Sequence, residues 1–453
     1  MFKKKLLPKL IIASVAAGVL TFTPNAANFI SVPIIQTSVA YSASTDDHFN
    51  RGLNYMEAGN YNAAIAEFTK VIKINPNLLA AYNNRGVAYQ SIQKYNEAIA
   101  DFTKAIQLNP QAAGAYNNRG DVYRQIQNYN AAIIDYNKAI EINPRYANAY
   151  KNRGLLYYEM KNYNAAITDY TKGIELNPND ADMYNNRGSA YAELNNYNAA
   201  VNDFTKAIEL NPNYALAYNN RGAAYGNIQN YNAAIADSTK AIALNPNYAD
   251  AYFNRGRIYY TLKKNHEAIT DFTKVINLNP QFVSAYDYRG GAYYNLGNDN
   301  AAINDFTKAI SLEPNRASSY YFRGNVYAKI QNYNAAIVDY TKSIELNPNN
   351  AEAYYNRGWV CAMLQNYNAV ISDCTKAIEL NSNYAKAYST RGVAYMNGLQ
   401  KYNEAIADFN KAIALNPNYA LAYYNRGVCY QKLGDNTRAQ ADFNKAKQLG
   451  YNG

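Results

Sequence analysis

Apolar residues fall along this chain at spacings of three and four, in two short bursts separated by a polar turn. Between Leu79 and Ala112, Tyr82, Gly86 and Tyr89 form one stripe, and Ala98, Ile99, Phe102, Ala105 and Ile106 form another. Residues three and four apart share one face of a helix, so the stretch predicts two amphipathic helices. In the link Ile92-Gln93-Lys94-Tyr95-Asn96, Asn96 is the predicted N-cap of the second helix, with Asn62, Asn130, Asn164 and Asn198 as its counterparts. Asn109-Pro110 closes the unit, because proline lacks an N–H and fixes its own φ. Gly86 is expected to face Ala98, two small residues that let the paired helices approach closely.

The pattern returns every 34 residues, marked by Arg51-Gly52, Arg85-Gly86 and so on to Arg426-Gly427, twelve times in all. A unit of this length cannot bury its apolar face alone and must stack on its neighbours, so the predicted fold is an all-α solenoid of antiparallel helix pairs. The array is predicted over residues 45–449, after a short linker at 41–44 and before a tail at 450–453. Gln440 and Lys447 stand where other repeats have apolar residues such as Ile99 and Ile106, which suits an uncovered last helix.

Residues 1–40 lie outside the repeat. Lys3, Lys4, Lys5 and Lys9 precede an uncharged apolar run from Leu10 to Phe22, and Ser38-Val39-Ala40 offers small residues before a cut after Ala40. This is the pattern of a secretory signal. An uncleaved membrane anchor is the alternative, although the run falls short of the roughly 20 residues that span a bilayer. Either way the repeats are expected to be exported, in the periplasm or at the cell exterior, with any membrane contact made only through this segment.

Composition changes the picture once the columns are set aside. Without residues 1–40, which hold four Lys and no acid, the formal net charge falls from +10 to +6. Every repeat then spends one Arg and one Lys on repeating columns, and outside the columns acids outnumber bases. No local basic cluster remains, so nucleic acid is not an expected partner. Most of the 48 tyrosines likewise occupy columns at helical spacing, where aromatic residues are core.

The run Tyr82-x2-Arg85-Gly86-x2-Tyr89, then Ala98-x3-Phe102, then Pro110, resembles the tetratricopeptide repeat, and its wording is similar to that of large multi-repeat proteins of cyanobacteria. The resemblance implies a right-handed superhelix whose first helices line a concave groove for peptides or partner proteins. One column departs from the family pattern, which has Leu before the Gly where this chain has Arg. Asp or Glu stands sixteen residues after each Arg, giving the predicted inter-helix ion pairs Arg85 with Asp101, Arg119 with Asp135 and Arg187 with Asp203. In the eleventh repeat the gap is seventeen (Arg391 and Asp408), through an insertion near Gly398.

By the same resemblance, groove residues lie three before and one, four and five after the Gly. The early groove is polar, with Arg124 in the third repeat. The later groove is richer in aromatics and Met: Phe253, Arg257, Tyr260, Tyr321, Tyr355, Trp359, Met363, Met396 and Tyr424 are the expected partner-binding residues. Trp359 is either a central anchor there or packed on the neighbouring repeat. Some family members grip a carboxylate with Lys and Asn one turn apart, but Lys151 is followed by Leu155.

Catalysis has little material. The two histidines, His48 and His266, replace a column Tyr and the predicted N-cap Asn, and no phosphate loop, metal-spaced cluster or nucleophile triad can be assembled. No enzyme activity and no cofactor are expected. Cys361 and Cys374 replace column aromatics in the tenth repeat, either as thiols filling one core layer or as a disulfide. Two functions follow: a scaffold for peptides or proteins, or a carbohydrate-binding surface built on groove asparagines such as Asn83, Asn117, Asn185 and Asn219.

Overall fold

The computed structural model describes residues 43–451, so the segment read as a signal or anchor (1–40) lies outside the described residues. Among the described residues there are 24 α-helices and no strands, and no helix is long and apolar enough to cross a membrane. The helices pair in sequence, a first helix such as Leu79–Ser91 with a second such as Tyr95–Leu108. Two compact units divide the chain, one ending at Pro246 and the other beginning at Asn247. The first holds six pairs, from Ala43–Glu57 with Tyr61–Ile74 to Ala215–Asn227 with Tyr231–Leu244; the second holds six more, from Ala249–Thr261 with Asn265–Leu278 to Ala420–Lys432 with Asn436–Gln448. Within each unit the first helices of consecutive repeats approach one another while the second helices do not. The first helices therefore form the inner face of each unit.

The second helix starts earlier than the sequence indicates. Asn60, Asn128, Asn162 and Asn196 are the N-caps, and their side chains accept from the backbone N–H three residues on. Asn62, Asn96, Asn130, Asn164 and Asn198 lie two residues further, inside the first turn. The chain leaves the first helix through a left-handed residue, Gln93 at φ 61° in the second repeat, and the carbonyl of Lys94 already accepts from Ala98 N–H. Where Lys94, Lys264 and Lys401 occupy the cap without a side-chain bond, Glu97, Glu267 and Glu404 place an acid in the first turn instead, where the helix dipole favours it. His266 consequently sits in an exposed first turn and is not a cap.

The core repeats as well. Gly86 faces the ring of Phe102, not Ala98: a Cβ on Gly86 would stand 2.8 Å from Phe102 Cε1. Phe102 is fully buried beside Ala98 and meets Val122 of the next repeat. At the C-terminal end Tyr451 lies 4.7 Å from the Tyr424 ring. Phe282 and Tyr384, which lead into a following repeat, cover Phe253 and Tyr355 in the same way at 4.7 and 4.8 Å. Tyr451 thus covers Tyr424 as Phe282 covers Phe253.

Candidate partner-binding face

Each column arginine is committed to the scaffold. In eleven repeats its Nε and Nη2 donate to the two oxygens of the Asp on the second helix, a bidentate fork. Arg85 reaches Asp101 at 2.8 Å, Arg119 reaches Asp135 at 2.8 Å, and Arg187 reaches Asp203 at 2.7 Å. The inserted eleventh repeat keeps the contact, Arg391 to Asp408 at 2.7 Å, because its first helix extends to Gly398.

Two further partners were missed in the sequence. Nη1 of Arg85 donates to Thr69 Oγ1 at 3.0 Å on the second helix of the preceding repeat, and Arg187 does so to Thr171 at 3.1 Å. Where Thr is replaced by Asn137 or Asn410, the amide oxygen takes its place at 2.6 Å. The signal was available, since these residues stand sixteen before each column Arg from Arg85 to Arg426. The column tyrosines complete the node: Tyr82 and Tyr89 lie 5.7 and 5.8 Å from the Arg85 guanidinium, within cation–π range. One arginine therefore ties its own helix to two others. Hydrogen bonding to the aspartate holds its pKa above the ordinary guanidinium value against the opposing effect of burial.

In the first repeat the acid is Glu67, which meets Lys70 at 2.6 Å, His48 at 2.5 Å and Arg51 at 3.2 Å. Hydrogen bonds from Lys70 first, then His48, lower its pKa from 4.5 to about 2. A carboxylate depressed in the folded state contributes stability that is present above the unfolded pKa and lost as pH falls through the folded one. Protection of the amides in Ala43–Ile74, taken against the intrinsic exchange rate at each pH, should therefore fall between pH 4.5 and about 2 in the native chain. Glu67→Gln should remove that added acid sensitivity.

The inner face differs from its expected composition. Phe253, Tyr321, Tyr355 and Met396 are 9, 6, 5 and 8 % exposed, so they are core and not open anchors. The position three before the Gly is enclosed between consecutive first helices, where it meets residues of the following repeat. Phe253 packs on Phe272, Phe282 and Tyr288, and Tyr321 donates to Glu352 and accepts from Asn356. The asparagines of this column are buried for the same reason. Asn118 donates to Asn83 at 3.1 Å, Asn152 to Asn117 at 3.0 Å and Asn220 to Asn185 at 3.1 Å, a ladder between repeats. Asn219 is buried too, which removes the asparagines that motivated carbohydrate binding.

Of the expected partner-binding residues, Arg124, Arg257, Tyr260, Trp359, Met363 and Tyr424 remain partly exposed. Arg124 is neutralised by Asp121 at 2.8 Å and Glu159 at 2.6 Å. Lys151 is held by Asp180 and Asp182. Tyr424 lies between Phe443 and Tyr451. Trp359 leans on the ninth-repeat cluster of Tyr321, Ala336 and Tyr340, with Tyr333 edge-on at 6.4 Å, and its indole Nε1 is buried without an acceptor. It packs on the neighbouring repeat while keeping part of its surface open.

Cys361, Cys374 and Cys429 are buried free thiols in this structure, which is the first of the two readings of the tenth-repeat pair. Both residues of that pair lie in one apolar cluster with Tyr355 and Val370, filling the layer. Burial pushes the Cys374 and Cys429 thiols up to about 12, which disfavours the reactive thiolate. A thiol-specific disulfide reagent should find no reactive cysteine in the folded chain and three in denaturant, and a count of one in denaturant would show a bridge.

A family model described as TPR repeat matches residues 52–93, 120–161, 227–263, 290–331, 324–365 and 399–434. A second, described as tetratricopeptide repeat, matches residues 79–111, 147–180, 181–214, 249–282 and 351–384, and further models of that description match 204–236 and 420–449. The chain belongs to the tetratricopeptide repeat family. A comparison with curated proteins gives no match. Among solved structures, it is similar to MamA at 30% identity over 35% of this chain and 93% of that one, with a TM-score of 0.34. YrrB, described as a TPR protein with an unusual peptide-binding site, is 27% identical over 41% of this chain and 95% of its own, with a TM-score of 0.35. Yeast Tom70 is 16% identical over 89% and 96%, with a TM-score of 0.38. The tetratricopeptide fold makes this chain a protein-interaction scaffold.

Proposed function

We propose that the chain is a non-catalytic scaffold outside the cytoplasm that holds peptide segments of partner proteins against the inner face of its second unit. The observation that carries this reading is the set of column-breaking residues left partly exposed there: Arg257, Tyr260, Trp359 and Met363. Aromatic residues and Met are the side chains that anchor partners at interfaces, because they bury much area with few degrees of freedom or adapt to irregular shapes. The first unit offers a polar counterpart in which Arg124 and Lys151 are already paired.

A photo-crosslinking amino acid at Met363, compared in living cells with the same group at Val338 on a second helix, tests the binding face. Met363 is 39 % exposed and Val338 68 %. Specific protein adducts at position 363 and none at 338 are expected; equal labelling at both, or none at 363, contradicts the proposal. Export is tested by fractionation and mass. Protein outside the cytoplasm, trimmed after Ala40 or still anchored, fits, whereas the full 50.7 kDa chain in the cytosol does not.

A further inference from the structure

The second unit contains one arginine that the scaffold does not use. Among the described arginines only Arg257 and Arg145 make no ion pair, and Arg145 is an exposed loop residue whereas Arg257 is half-buried. Its guanidinium lies 5.8 Å from the Phe253 ring and 5.9 Å from the Tyr288 ring, and Tyr260 meets Tyr288 edge-on at 5.7 Å. Partial burial between rings raises the value of any hydrogen bond the guanidinium makes, because less water competes for it.

Three acids of the surrounding repeats are engaged elsewhere. Asp271 is held by Arg255, Asp287 by Arg316 and Ser319, and Asp299 by Lys329. In the first unit the residue at the place of Arg257, one after the column Gly, is Asp121, and it is met by Gln90 of the preceding repeat and Arg124 of its own, each four residues after a column Gly. The same places around Arg257 hold Gly226 and Tyr260, so neither brings an acid to it. Tyr260 itself lies against bare backbone of the next repeat, where a Cβ on Gly291 would stand 2.9 Å from its Oη.

We propose that Arg257 is the anchor for a carboxylate, the Asp or Glu side chain of a partner peptide whose apolar neighbour rests on Tyr260 and Tyr288. A single carboxylate matches a single free cation and its planar fork. Phosphate carries nearly two charges, and the next basic side chain along the face, Lys329, is already paired with Asp299 at 2.6 Å. The proposal rests on the peptide-binding reading of the second unit and names the partner's chemistry there.

Panning the full chain against a random twelve-residue peptide library displayed on phage tests it. Wild-type protein should enrich peptides with Asp or Glu beside an aromatic or aliphatic residue, and synthetic copies should bind about tenfold more weakly when that acid becomes Gln, with weakening at high salt. Arg257→Gln, which keeps the stem over Phe253, should lose the acid preference; Arg257→Lys should keep part of it, and Arg124→Gln should keep all of it. Helical circular dichroism unchanged in the variants establishes that each is folded. Enriched peptides without acids, or an acid preference that survives Arg257→Gln, overturn the assignment and leave peptide binding standing. No enrichment by any form of the protein overturns both.

Discussion

Asp203→Ala should destabilise the fifth repeat by about 3 kcal/mol, because it strands a guanidinium in a site built for a fork. Arg187 donates to Asp203 at 2.8 and 2.7 Å and to Thr171 at 3.1 Å, and its side chain is only 17% exposed. The reciprocal Arg187→Ala leaves Asp203, 6 % exposed, as an unpaired carboxylate and should cost a similar amount. Replacing both partners, as Arg187→Met with Asp203→Leu, should recover much of the loss, since a buried pair is balanced against its own desolvation. Thr171→Val removes one neutral acceptor and should cost about 1 kcal/mol. Hydrogen exchange of the amides in Ala181–Leu210 reads these local effects. Single substitutions costing less than about 1 kcal/mol would place the column among ordinary surface ion pairs.

Gly188→Ala should destabilise the same repeat by about 2 kcal/mol, whereas Gly114→Ala should stabilise the third by up to about 1 kcal/mol. Both glycines are helical, so both substitutions gain the same helix propensity. At Gly188 the added methyl would stand 2.8 Å from Phe204 Cε1 and 3.2 Å from the Ala200 carbonyl oxygen, and Phe204 is 1 % exposed. Around Gly114 nothing lies within 4 Å. Gly222 provides an intermediate case, because Ser238 replaces the aromatic and its Oγ lies 3.2 Å from the added atom. Urea unfolding of the three variants should therefore rank Gly114→Ala above Gly222→Ala above Gly188→Ala. A stabilising Gly188→Ala would mean that the column glycine is not there for helix approach.

The helix pairs were legible in the sequence because a period of 34 and stripes at three and four are properties of order alone. The pairing of Arg85 with Asp101 was legible for the same reason: a constant interval of sixteen on two adjacent helices places both side chains at one level. Thr69 obeys an equal interval in the opposite direction, but it joins different repeats and no helix pair suggests it. The N-cap could not be read because the run Asn60-Tyr61-Asn62 offers two suitable side chains, and only the left-handed turn before it chooses the first. The inner face was the least legible part. Phe253, Tyr321 and Tyr355 were read as open because of their place within a repeat, while their burial comes from the following first helix, whose approach is a property of two repeats together. Tyr451 was hidden in a tail that no longer follows the period.

Arginine modification resolved by peptide mass gives the most direct test of the division between scaffold and binding face. Treated with phenylglyoxal while folded, the chain should be labelled quickly at Arg257 and at exposed Arg145. The column residues from Arg85 to Arg426, each forked to an aspartate and flanked by tyrosine, should label only on unfolding. Column arginines reacting as fast as Arg257 in the folded chain would contradict that division.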